Sequence, residues 1–204
     1  MSPTPSAAIA LDVGPLPTHA FGHRSLLWWA TMCMIAIEAM AFALAITSYI
    51  YLKGRVPHWP AGALSPGLFW GTLNTVILLV SAWPNLLARK AAERFDLPRV
   101  RLWMAVALAF ALAFNIARFL EFRQLNVRWD TNAYGSVTWF LLGLHTVHVL
   151  TDFLDSSVLA AVMFWGPLDE NRFVDVSENA MYWNFVVLSW LPIYAVIYLA
   201  PRIV

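Results

Sequence analysis

The sequence is poor in charge and nearly devoid of cysteine. Only 12% of its 204 residues are Asp, Glu, Lys or Arg, against about 25% in a soluble domain. A disordered chain is excluded, because it carries charge in place of apolar mass. With a mean hydropathy of +0.64, a soluble globular domain is excluded too. The formal net charge of +1 leaves no electrostatic footprint for nucleic acid. Cys33 is the single cysteine, so neither an intrachain disulfide nor a thiolate metal cluster can form. Lying in an apolar run, it reads as a buried, inert thiol. There is no Gly-rich phosphate loop, nucleophile elbow, zinc signature or cysteine–histidine haem motif.

What the chain has is apolar mass. Hydrophobic residues make up 60% and aromatic ones 15%, including 11 Trp, as suits rings anchored at a membrane interface. Five stretches, about 26–52, 67–88, 102–122, 133–165 and 179–200, each supply the ~20 mostly apolar residues that cross a bilayer core. None shows the period-two alternation of a spanning strand. The expected fold is all-α, an integral membrane bundle of five transmembrane helices over 24–204. The fourth stretch would be ~50 Å long as a continuous helix, so it must tilt, kink or project. Residues 1–23 hold four prolines, and the first basic residue comes only at Arg24, so they read as a mobile tail, not a signal peptide. Arg89, Lys90, Arg94, Arg99 and Arg101 sit between the second and third stretches. They place that loop and the N-terminus in the cytoplasm and the C-terminus outside.

Charged and polar residues inside such a bundle are costly, so each needs a reason. Glu38 lies near the middle of the first helix among Ala36, Ala39 and Ala41, where helices can approach closely. A proton-linked or lipid-facing site and a plain interhelical hydrogen bond fit it equally. His145, His148, Asp152 and Asp155 share one face of the fourth helix. That face suits a packing stripe better than a metal or proton path, because two histidines on one helix make a weak ligand set. Nor do they make a haem site, which usually takes its histidines from facing helices. Arg118 and Glu121 pair at i, i+3 as a salt-bridged membrane edge, with Arg123 and Arg128 also in reach. Asn74 and Asn184 read as interhelical hydrogen bonds. Pro84 and Pro192 should kink or end their helices. No catalytic, cofactor-binding or metal residue is expected.

The ordered motifs resemble those of subunit III of the haem–copper terminal oxidases, the cytochrome c oxidase type. Glu38 with Phe42 is similar to that family's Ser-Glu-x-x-Phe-Phe helix. Leu73-Asn74-Thr75, running to Ser81, resembles its Leu-Asn-Thr segment. Arg118 to Phe122 resembles its Gln-x-x-Glu-Tyr, placing Glu121 on the glutamate. Tyr134-Gly135-Ser136 and Gly143-Leu144-His145-Thr146-Val147-His148-Val149 resemble its Tyr-Gly-Ser and Gly-x-His-x-x-His-Val. Tyr182-Trp183-Asn184-Phe185 with Trp190 resembles its Tyr-Trp-His-Phe-Val-Asp-x-x-Trp. Asn184 and Val187 depart from the family's histidine and aspartate, and Asp152 stands where glycine is usual.

The resemblance implies the short, five-helix form of a non-catalytic subunit that supports the catalytic subunit and sustains proton uptake in a proton-pumping oxidase passing electrons to oxygen. Subunits I and II would hold haem and copper, and cytochrome c or quinol would be the donor to the complex. Membrane lipids would be partners, with bound phospholipid, in the inner membrane of a bacterium. Glu38, Asn74, Glu121, His145 and His148 would be structural or lipid-contacting. Two other readings are an accessory subunit of a nitric oxide reductase, which resembles subunit III, and a small proton-coupled transporter using Glu38 and the polar stripe of the fourth helix. A third is a scaffold with no part in proton handling.

Overall fold

The computed structural model describes residues 19–60, 62 and 65–203. The expected tail lies outside the described residues as far as residue 18. Five long helices follow a short 3-10 turn: α1 (Leu26–Lys53), α2 (Leu68–Ala92), α3 (Leu97–Arg123), α4 (Ala133–Trp165) and α5 (Glu170–Tyr194). A π turn at Ala195–Leu199 leads into α6 (Ala200–Ile203). Among the described residues there is no strand. Five helical segments are long and apolar enough to cross a membrane, the last being Glu170–Arg202.

Local chemistry sets the ends. Ser25, Asp96, Asn132 and Asp169 each accept a backbone N–H of the first turn of α1, α3, α4 and α5. These caps explain two differences from the apolar runs. α3 begins at Leu97, just behind the Asp96 cap and with Pro98 in its first turn, where proline costs no hydrogen bond. α5 begins at Glu170, well ahead of position 179, because charged residues end an apolar run without ending a helix. Phe173, Val174 and Val176 of that extension are buried. Neither proline stops its helix. α2 runs through Pro84, and α5 runs through Pro192 into the π turn that follows it. α4 is one continuous helix of 33 residues.

α5 is the central helix, packed on α2, α4 and α1. One core, around Tyr49, Tyr134, Leu141, Trp190 and Tyr198, fills the end of the bundle where α1 finishes. Another, around Ala92, Val100, Met104, Met163 and Phe173, fills the end where α4 finishes and α5 starts. The chain ahead of α1 joins this second end, where the His19 ring meets Phe95 edge-on at 5.1 Å and its Nδ1 lies 2.7 Å from Glu170.

α1 is the outlying helix. Its buried residues are Thr31, Phe42, Ala45 and Tyr49, three of them in its second half. The second half therefore packs, while the first half stands off and leaves room beside it. Cys33 lies on this helix and is exposed, not buried as its apolar surroundings suggested. α1 offers most of its apolar surface outward, so apolar neighbours here signal lipid and not protein core.

Candidate functional site

The polar residues of the bundle gather in two places. The first lies between α2, α3 and the π turn. The Glu121 carboxylate accepts from Asn74 Nδ2 at 2.7 Å and from Arg118 Nη1 at 2.6 Å through Oε2, and from the Tyr198 hydroxyl through Oε1. Arg118 is 1% exposed and Glu121 3%, so the pair lies inside the bundle and not at a membrane edge. α2 and the π turn close over the end of α3, which spacing on one helix could not reveal. Arg128 pairs with Asp130. The Arg118 guanidinium also lies 4.1 Å over the Trp190 ring and 4.9 Å over Phe114. Those faces attract its Nε and Nη2, which have no hydrogen-bond partner among the described residues. Trp190 is itself fixed by donating to Thr75 at 2.7 Å.

The second lies between α1, α4 and α5. Tyr182 donates to Glu38 Oε2 at 2.8 Å. His148 Nε2 lies 3.7 Å from Glu38 Oε1, while its Nδ1 is 2.7 Å from the Leu144 carbonyl. A carbonyl only accepts, so Nδ1 carries the proton and Nε2 is the nitrogen left facing Glu38. Further along, Asn179 Nδ2 donates to Asp152 at 3.2 Å and to Asp155 at 3.3 Å, and its carbonyl accepts from Ser156 at 2.9 Å. Of these residues Glu38, Asp152, Asp155, Asn179 and Tyr182 border a cavity of about 550 Å³ beside the outlying half of α1.

The stripe on α4 is thus divided among three neighbours. His145 turns into the core, its Nε2 donating to the Val186 carbonyl at 3.1 Å and its ring between Trp190 and Phe114. His148 turns to α1, and the two aspartates turn to Asn179. The two histidines face different helices, and each commits one ring nitrogen to a carbonyl of its own chain. Among the described residues no three His, Cys, Asp or Glu side chains are grouped to hold a metal ion.

Sequence reasoning singled out Glu38, Asn74, Glu121, His145 and His148, and the structure gives each a partner on another helix or beside one. It joins Asn74 to Glu121, and Glu38 to His148. It does not join the two clusters. Tyr198 and Asn179 were missed. Tyr198 is one aromatic among many in an apolar run, and Asn179 sits where that run begins. Tyr182 carried a signal only as a motif residue.

Comparison with known proteins gives a consistent picture. The family model described as cytochrome c oxidase subunit III matches residues 20–201. A cytochrome c oxidase subunit 3 from Thermostichus vulcanus is 24% identical, over 96% of this chain and 94% of its own. One from Synechocystis is 23% identical over 98% of this chain and 88% of its own. A probable cytochrome c oxidase subunit 3 from Mycobacterium tuberculosis is 26% identical over 88% of this chain and 91% of its own.

Proposed function

The chain belongs to the cytochrome c oxidase subunit III family, and on that premise we propose that it is the non-catalytic helical support of a proton-pumping haem–copper oxidase. As a member of that family it is a membrane protein working within an oxidoreductase complex with other subunits. The observation that carries the reading is where the polar residues go. Glu38 ties α1 to α5, Asn74 and Glu121 tie α2 to α3 and the π turn, and His145 ties α4 to α5. These contacts hold five helices as one block, against which a catalytic subunit can rest.

The finer parts of the reading follow the same premise. The partners are oxidase subunits I and II, which carry haem and copper, with cytochrome c or quinol as donor. Phospholipid lies along the exposed apolar side of α1, which includes Trp29, Ile37, Met40 and Leu44. The membrane is the bacterial inner membrane, consistent with the bacterial relatives. The basic residues around the α2–α3 turn support a cytoplasmic N-terminus. The matched family favours this reading over a nitric oxide reductase accessory subunit or a transporter.

The test is gentle purification of the chain from its native membrane, followed by a reduced-minus-oxidised spectrum. The expected result is a terminal-oxidase haem signal with subunits I and II present. A haem-free, monodisperse preparation, or haem bound to the isolated chain, would overturn the reading.

A further inference from the structure

The residues just ahead of α1 are fastened to the bundle. The chain turns at Gly22, with φ 63°, into the short Gly22–Arg24 turn, and Trp29 Nε1 donates back to the His23 carbonyl at 3.0 Å. Residues 19–21 thereby reach from the start of α1 to the α2–α3 turn and the start of α5. Phe21 packs against the core at that end. Its ring meets Phe95 of the turn at 5.7 Å, and Phe95 meets Phe173 of α5 at 5.2 Å. The His19 ring stands edge-on to Phe95 at 5.1 Å and to Phe21 at 6.0 Å.

Phe95 is held there under strain. Its φ of 55° is left-handed, the helix-ending conformation that glycine usually takes and a bulky residue resists. Its N–H closes on the Ala92 carbonyl at 2.9 Å, and the Asp96 N–H closes on Ala91 at 3.0 Å. Glycine or asparagine would make this turn with less strain. What phenylalanine adds is the ring that joins His19 and Phe21 to Phe173. One charged contact completes the clasp, with His19 Nδ1 2.7 Å from Glu170 Oε2. The other acids at this end have cations of their own. Asp169 and Asp175 pair with Arg172, Asp96 with Arg99, and Glu93 with Arg89. Arg101 donates to the Met163 carbonyl. Lys90 and Arg94 near the turn, and His23 and Arg24 on the segment, are the other charged or titratable neighbours in sequence.

We propose that residues 19–25 are a pH-sensitive strap, which ties the start of α1 to the start of α5 while His19 is protonated and loosens when His19 loses its proton. An imidazolium gives Glu170 a charge-assisted hydrogen bond, and a neutral imidazole gives only a plain one. The strap is therefore tight at low pH and loosens as the pH rises. It acts on the half of α1 that stands off. Of the buried residues of α1 only Thr31 lies in that half, so the helix's own contacts hold it weakly. Leu27 and Arg172, near the starts of α1 and α5, both border the cavity beside α1. A loosened strap lets those two walls part at that end. On the proposed topology the strap answers to cytoplasmic pH. The proposal goes beyond the oxidase reading, because the strap and its partners all belong to this chain and the motion is read without turnover.

The test is amide hydrogen exchange, read by peptide mass spectrometry, on the complex purified with this chain in nanodiscs. Exchange is compared at about pH 6 and about pH 8, on either side of the imidazole range. Labelling times are scaled for the chemical exchange rate. Protection over residues 20–31 should fall about threefold from the lower pH to the higher, the size of a partly exposed ion pair. Peptides from the middle of α4 should not change. His19→Gln and Glu170→Gln should each remove the pH dependence. His19→Arg keeps a charge at both pH values and should stay protected at both. Phe95→Asn keeps the left-handed turn without the ring, and it should lower protection at both. Equal protection of the unmodified chain at the two pH values would overturn the proposal. A pH dependence that survives both Gln variants would also overturn it, by assigning the effect to another group such as His23. Full protection in Phe95→Asn would refute the clasp. The pH series on the unmodified chain decides the matter even if a variant fails to assemble.

Discussion

Replacing Glu121 by Gln keeps the shape of the side chain and removes its charge. Arg118 then remains buried at 1% exposure with no counter-charge. Removing one partner of a buried ion pair costs about 3–5 kcal/mol. For a chain of this size that lowers the unfolding midpoint by about 10 °C. Arg118→Met is milder, at about 1–3 kcal/mol, because Glu121 keeps Asn74 and Tyr198 as donors. The double variant, Arg118→Met with Glu121→Gln, removes both charges and leaves an amide that Asn74 and Tyr198 can still satisfy. It should lie within about 1 kcal/mol of the parent, since an apolar replacement of a buried pair is often neutral. The coupling between the two sites is then at least about 3 kcal/mol. The assay is unfolding in mixed micelles by titrated SDS, followed by tryptophan fluorescence. Trp190 reports directly, because the guanidinium lies 4.1 Å over its ring. The reasoning fails if Glu121→Gln costs less than about 1 kcal/mol. It also fails if the double variant is destabilised by the sum of the singles.

Other consequences can be checked in the same way. Tyr182→Phe removes the donor to Glu38 and should cost about 1–2 kcal/mol in the micelle titration, with little added loss when made on a Glu38→Gln background. Glu38→Gln in the assembled complex should leave proton pumping intact if the residue acts only by tying α1 to α5, and lost pumping with unchanged assembly would refute that structural role. Gly135→Ala should abolish a stable bundle, because a Cβ there would sit 2.2 Å from the Arg128 carbonyl oxygen, whereas Gly143→Ala meets nothing within 4 Å and should express normally. For orientation, Arg94→Cys on a Cys33→Ala background should react with a membrane-impermeant maleimide in inside-out vesicles only. Reaction in right-side-out vesicles would reverse the proposed topology.

Hydropathy alone determined that the chain is a five-helix membrane bundle, because a bilayer core demands ~20 apolar residues per crossing and the sequence meets that demand five times. It located α1 and α4 closely and misplaced the starts of α3 and α5, because apolar runs stop at the first charge while helices stop at caps. The charged residues and histidines within the runs were also visible, since a glutamate or histidine in such a run is rare. Their partners were not. Glu38 and Tyr182 are 144 positions apart, and Glu121 and Tyr198 are 77. No periodicity on one helix encodes a contact between two. The burial of the Arg118–Glu121 pair, the division of the α4 stripe among three neighbours and the cavity beside α1 were all decided by helix packing. Spacing along one helix shows which side chains share a face, but only the tertiary structure shows what that face meets.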